Sequence, residues 1–273
     1  MKPQVIAVTN QKGGVGKTTT AVTLADDLAQ RGSRTLLVDL DSQGNAATAY
    51  GIDRYNEEIR TSYDLIFGLN QDLNPIEVPG KGEKLHLYPG NISLVRADVD
   101  LLTKDDTRHL ALKNALEKVE DRYDFVIIDS PPSLGVLSVN ILVASDHVII
   151  PIQCEYLALE GLSMLLDTLE QIGKSHNPDL NILGCLITMT DLRTNLSQQV
   201  VSDVREHLGD RVFDTMIPRT IRLSECPSHG QTIMDYDRWG AGARAYEALT
   251  DEILNRIDPE KYPMPEKKGR KRR

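Results

Sequence analysis

The run Asn10-Gln11-Lys12-Gly13-Gly14-Val15-Gly16-Lys17-Thr18-Thr19-Thr20 has the residue types of an anion cradle. It follows an apolar stretch, Val5-Ile6-Ala7-Val8, and precedes a helix-like one, Ala21 to Gln30. A buried strand that feeds a glycine-rich loop and then a helix is the setting such a cradle needs. Gly13, Gly14 and Gly16 let the backbone curl until several N–H groups converge on one phosphate. Lys17 supplies a point charge for the outer phosphates, and Thr18 a hydroxyl for Mg²⁺. The helix start adds a favourable dipole. The chemistry expected of Gln11 to Thr19 is nucleotide binding.

Two further apolar runs end in carboxylates. Val38-Asp39-Leu40-Asp41-Ser42-Gln43-Gly44 reads as a strand closed by Asp39, with Asp41 beginning the loop and free to swing toward a γ-phosphate. Val126-Ile127-Ile128-Asp129-Ser130-Pro131-Pro132 reads the same way, with Asp129 at the strand end. In a doubly wound sheet the carboxyl ends of strands line the ligand crevice, so these aspartates and the loop lysines would meet there.

The loop departs from the general pattern G-x-x-x-x-G-K-[ST]: Gln11 stands at the first glycine, and Lys12 adds a second lysine. This form resembles the deviant Walker A loop of the ParA/MinD ATPases. The stretch Asn10 to Thr20 resembles that of ParA/Soj partition proteins. Asp129-Ser130-Pro131-Pro132, Pro151 to Leu162, Asp191 to Leu196 and Ile217 to Glu225 also resemble segments of those proteins. The likeness runs from Lys2 to Ile257.

Several expectations follow from the resemblance. ATP and Mg²⁺ are the cofactors. Lys17, Lys12 and Asp41 are the catalytic residues, with Asp41 positioning the attacking water. Ser42 stands where the family often has proline. Thr18, Asp129 and Asp39 serve the metal, and Met189 and Pro218 border the adenine. Lys12 crosses a two-fold interface to the nucleotide of a second copy. Arg193 and Arg222 bind DNA without reading its sequence, as arginine forks suit phosphate oxygens. A ParB-like partner stimulates hydrolysis and releases the DNA. The expected place is the cytoplasm, associated with the nucleoid, with no membrane contact.

The elements that must position these residues alternate along the chain. Apolar runs suggest strands at Val5–Thr9, Thr35–Asp39, Leu85–Tyr88, Phe125–Asp129, His147–Pro151, Ile182–Thr188 and Val212–Ile217. Amphipathic runs suggest helices at Thr18–Gln30, Arg108–Glu120, Leu137–Ala144, Leu159–Gly173, Leu196–Leu208 and Ala241–Ile257. Continuous Val/Ile/Leu strands imply a sheet buried on both faces. The fold class is therefore α/β, with a single doubly wound, mostly parallel sheet and helices on both faces. Gly51 to Lys84 reads as surface helices and loops. Residues 1–257 form the ATPase domain, and 258–273 read as a disordered basic tail.

Bulk properties bound the alternatives. Net charge is −9 over 273 residues, yet Lys261 to Arg273 carries seven basic residues and one acidic one. A basic arm thus sits on an acidic body. No apolar stretch approaches a membrane span, and no secretory signal opens the chain. A MinD-like membrane-bound positioning ATPase needs an amphipathic C-terminal helix, and the tail Lys-Lys-Gly-Arg-Lys-Arg-Arg has no apolar face. The nitrogenase-like iron proteins need paired cysteines, and Cys154, Cys185 and Cys226 do not fall in matching positions.

Overall fold

A computed structural model describes residues 2–69, 74–103, 107–155 and 158–265. Its centre is a seven-stranded sheet of β1 (Gln4–Val8), β2 (Thr35–Asp39), β3 (Ile76–Glu77), β4 (Leu85–Tyr88), β5 (Phe125–Asp129), β6 (His147–Gln153) and β7 (Asn181–Thr188). The spatial order is β3-β4-β2-β5-β1-β6-β7. All pairings are parallel except β3 with β4, at the edge.

The period-two geometry of a strand explains why both faces are covered. Ile6, Val8, Leu37 and Ile127 point into one apolar cluster, which also takes Ala21, Leu24 and Leu28 of α1 (Lys17–Gln30) and Tyr246, Leu249 and Ile253 of α11 (Ala241–Ile257). Val5, Ala7, Leu36, Val38, Val126 and Ile128 point the other way. They pack on α3 (Ser62–Phe67), α4 (Ala97–Leu102), α5 (Ala111–Leu116) and α6 (Val136–Ala144). A third cluster joins β6 and β7 to Leu162, Leu165 and Leu169 of α7 (Ala158–Ser175). The expected doubly wound α/β sheet is what the chain forms.

Two elements differ from expectation. Val212–Ile217 is not a strand, although it runs beside β7. Its ends join the sheet through Phe213 N–H to Cys185 O and Ile217 N–H to Ile187 O, at 3.0 and 2.9 Å. Between them Asp214 and Thr215 donate their N–H groups to the Glu252 carboxylate of α11, at 2.8 and 2.9 Å. The Glu252 side chain has taken the Thr215 N–H, a donor that a ladder with β7 would need. The helix expected over Arg108–Glu120 is only a 3₁₀ turn at Arg108–Leu110 followed by α5. Near this junction the Asn140 side chain accepts from Leu112 N–H and donates to Arg108 O.

Short elements without strong periodicity lie between β2 and β5: α2 (Asn45–Ala49), α3, β3 and α4. The chain beyond α11 turns back at first. Tyr262 packs against the α1/α11 cluster, and Asn255 Nδ2 donates to its carbonyl at 3.0 Å. The basic run Lys267–Arg273 lies outside the described residues.

The loop after β2 is fixed by a close approach. A Cβ on Gly90, just past β4, would stand 2.1 Å from the Asp41 carbonyl oxygen. Gly44, at φ +62°, lies on the same contact, where a Cβ would stand 2.6 Å from Gly90 O. Neither neighbour is a flexible side-chain tip, so the backbone itself would have to yield. Gly90→Ala is expected to cost on the order of 1–3 kcal/mol, read as a lower urea midpoint at unchanged slope.

Candidate nucleotide site

The loop after β1 is tied down at three points. Asn10 Nδ2 donates to Pro151 O at 2.7 Å, and Asn10 Oδ1 accepts from Lys12 N–H at 2.9 Å. At the far end Thr188 Oγ1, closing β7, donates to Val15 O at 2.8 Å. Between them Gly14 and Gly16 take φ +74° and +91°, which L side chains rarely adopt. Val15 is buried, while Gly13 and Gly14 are exposed. Gln11 is half-buried, and its Nε2 has no partner among the described residues.

The two loop lysines point different ways. Lys17 is 7% exposed and donates through Nζ to Lys12 O at 3.0 Å. Burial lowers its pKa, while the nearby Asp129 and Asp41 charges raise it. Lys12 is solvent-exposed, and its Nζ meets Glu155 Oε2 at 2.7 Å. Gln153 Nε2 holds the other Glu155 oxygen at 2.6 Å. The Lys12 contact keeps the Glu155 pKa below its ordinary value.

Asp39 and Asp129 are register partners on adjacent strands, and both are fully buried. Asp39 is well served. Oδ1 accepts from Asp41 N–H at 2.9 Å and Oδ2 from Ala46 N–H at 3.1 Å, and the Gly90 N–H also favours its ionised form. Expected among the metal residues, Asp39 thus ties the Asp41 loop to the start of α2. Burial still raises its pKa to about 7. Neither Asp129 oxygen has a hydrogen-bond partner among the described residues. Burial, then the Asp39 charge, pushes its pKa well up, and the adjacent Thr18 hydroxyl and Lys17 offset this only in part. A buried carboxylate with unmet oxygens beside a threonine hydroxyl fits a hard divalent cation such as Mg²⁺.

Asp41 is half-exposed, and its Oδ1 accepts from Gln43 N–H at 3.0 Å, which shapes the turn. Thr18 and Thr19 line a cavity of about 270 Å³ together with Thr48, Cys226 and Gln231. Met189 takes φ +55°, the sole described non-glycine residue with positive φ. It is brought beside Pro218 through Thr190 N–H to Ile217 O at 3.0 Å and Arg219 N–H to Thr190 O at 2.9 Å. The loops expected to border an adenine are therefore joined.

Arg193 and Arg222 lie at helix starts. Arg193 precedes α8 (Asn195–Leu208), is 89% exposed, and forks onto Asp191 with both contacts at 2.7 Å. Arg193 holds the Asp191 pKa down at about 2. Arg222 lies in α9 (Ile221–Glu225), 60% exposed, 3.3 Å from Glu225 and over the Tyr236 ring. Cys185 and Cys226 are buried, with thiol pKa values pushed up to about 12 and about 11. Both are therefore inert thiols rather than nucleophiles.

Glu155, Thr188 and Gly90 are contributors that residue types alone do not flag. Each acts through a partner more than 30 residues away, so no local pattern carries the signal.

The buried carboxylate pair has a pH signature. Between the ordinary aspartate range and about pH 7 the folded pair binds more protons than the unfolded chain. Its contribution to stability is therefore fully present at low pH and lost as pH rises through that window. Asp129→Asn removes one charge. The melting temperature of this variant relative to the parent is expected to climb steadily from about pH 4 to about pH 7. A constant difference across that range would count against the coupling.

Comparison with known proteins identifies the family. Residues 3–182 match the family model described as an AAA domain. The chain is 48% identical over 250 residues to the sporulation initiation inhibitor protein Soj of Bacillus subtilis, covering 92% of this chain and 98% of that protein. It is 47% identical over 253 residues to the chromosome-partitioning ATPase Soj of Treponema pallidum, covering 93% and 98%. Among solved structures, a Mycobacterium smegmatis protein titled cobyrinic acid a,c-diamide synthase, with bound ATP analogue and magnesium, superposes at TM-score 0.82. It is 37% identical, covering 96% of this chain and 98% of that one. At these identities and coverages the chain belongs to the Soj/ParA family of chromosome-partitioning ATPases.

Proposed function

We propose that this protein is an ATP-operated switch that pairs two copies, holds DNA while paired, and lets go on hydrolysis. The divergence of the two loop lysines carries the reading. Lys17 faces its own crevice, whereas Lys12 points out to Glu155. A lysine that leaves its own site is placed to serve the nucleotide of a second copy. The exposed Lys12–Glu155 pair is cheap to exchange, because such ion pairs contribute little in water.

Within one crevice the loop N–H groups and Lys17 hold the phosphates of ATP. Thr18 and Asp129 hold Mg²⁺, which neutralises phosphate charge. Asp39 holds the Asp41 loop, and Asp41 orients the attacking water. Met189 and Pro218 flank the base. Lys12 of the second copy meets charge that develops during phosphoryl transfer. Without a γ-phosphate two basic loops face each other with no shared counter-charge, so pairing follows the nucleotide.

Arg193 and Arg222 serve the DNA phosphates. Asp191 and Glu225 pair with them in the single chain, so weak isolated contacts give way to many when two copies bind together. Phosphate contacts read no sequence, which suits a protein spread over the nucleoid in the cytoplasm. A ParB-like partner then speeds hydrolysis and release, moving a chromosomal cargo.

Random-sequence duplex tests the switch. Binding is expected with ATP and not with ADP or without nucleotide, and equal binding in all three states would refute it. Arg193→Ala or Arg222→Ala is expected to weaken binding and lower the salt slope by about one per lost phosphate contact, with ATP-dependent pairing intact. Lys12→Ala should lose pairing. Asp41→Ala should pair but stay on DNA after partner is added.

A further inference from the structure

The helical run from Ile92 to Leu102 has two apolar faces. Leu94, Ala97 and Leu101 are buried in the core. On the opposite side Ile92, Val95, Val99 and Leu102 are 73, 66, 63 and 55% exposed. Their spacing of three, four and three residues puts them in one stripe. We propose that this stripe is the apolar part of the contact between two copies of the chain, each stripe closing on its own symmetry mate. The inference rests on the reading that ATP pairs two copies.

Its position links it to both nucleotide loops. Asp98 Oδ1 accepts from Leu137 N–H at 2.7 Å, and a Cβ on Gly135 would stand 2.0 Å from Asp98 Oδ2. This clamps α4 to the loop that follows Asp129. On the other side Asn91 and Ile92 share a cavity of about 650 Å³ with Ser42 and Gln43 of the Asp41 loop. Leu134, 42% exposed, continues the apolar surface on the Asp129 side. A surface set by both loops shifts when either one responds to nucleotide.

The charges beside the stripe select its occupant. Arg96 is bonded to Asp100 at 2.8 Å, and Asp98 is spent on the Leu137 N–H. The charges of the helical run itself are thus paired, and those nearest its Ile92 end, Arg54 and Arg60 with Glu57 and Asp64, are of mixed sign. Near a two-fold axis a residue meets its own copy, so apolar groups pair well there and unpaired charges repel. The size also fits. A patch of this kind is on the order of 300–600 Å². That is less than the ~800 Å² per partner of a stable pair. The stripe alone leaves the chain single, and it needs the bridging nucleotide to complete the contact.

Val99→Asp tests this, since the side chain is exposed and the fold has no need of it. In sedimentation with a non-hydrolysable ATP analogue the parent is expected to pair. Val99→Asp should need roughly tenfold more protein to do so, a loss typical of a central interface position. Its monomer should bind a fluorescent ATP analogue within about twofold of the parent, since Val99 stands outside the phosphate loop. Val99→Cys, made with Cys154→Ser, should cross-link to itself with ATP and not with ADP. If the parent pairs and Val99→Asp pairs equally, or Val99→Cys fails to cross-link, the stripe is not the contact. If Val99→Asp pairs normally but loses stimulation by a partner protein, the occupant is that partner and the inference falls. If the parent itself fails to pair, the switch reading falls first.

Discussion

Two carboxylates at the ends of adjacent strands, both out of water, are the constraint that organises this molecule. Burying charge is costly unless it is paired or hydrogen-bonded. The chain meets that cost for Asp39 with three backbone N–H groups and leaves Asp129 with no such donor. The bonds to Asp39 are what shape the Asp41 loop and start α2. The unmet oxygens of Asp129, beside Thr18, fit a hard divalent cation. Lys17 sits over the same spot, its own pKa lowered by burial and raised by these aspartates. Ligand charge and metal charge complete a balance that the protein alone leaves open.

Around that centre the loops are held by long-range contacts, not by their own propensity. Thr188 and Asn10 fix the phosphate loop from β7 and from the residues near β6. Gly44 and Gly90 allow two backbones to touch where any side chain would separate them. Glu252 takes two N–H groups from the Val212–Ile217 segment, which leaves its far end free to hold Pro218 beside Met189. On the other side α4 is clamped through Asp98 to the chain that follows Asp129.

The outward lysine and the apolar stripe belong to one physical logic. Each is weak alone: an exposed ion pair contributes little, and a patch this small does not hold two proteins together. Under the proposed switch, that weakness is what keeps the chain single without nucleotide. In the proposed pair, joined through nucleotide at two crevices, they would become parts of one surface. The proposed DNA contacts follow the same logic, since the carboxylates that pair with Arg193 and Arg222 would be displaced only when many phosphates bind at once.

Much of this was legible in the residues. The strand–loop–helix context of Gln11 to Thr19, which the structure reproduces, marked the candidate phosphate loop, because that chemistry needs consecutive residues. Asp129 and Asp41 were marked by their place after apolar runs, and the sheet by strands apolar on both faces. The Val212–Ile217 segment misled, since its apolar residues match a strand while Glu252, far along the chain, takes the Thr215 N–H that would pair it. Short elements between β2 and β5 carry too few turns to show a period. Sequence by itself determined the fold class and the local phosphate chemistry, where the needed atoms are neighbours in the chain. Only tertiary structure decided that Asp39 is satisfied and Asp129 is not, that Lys12 leaves its own crevice for Glu155, and that Ile92 to Leu102 keeps a second apolar face in water. Those facts depend on which distant groups arrive within hydrogen-bond or van der Waals reach, and no spacing along the chain encodes them.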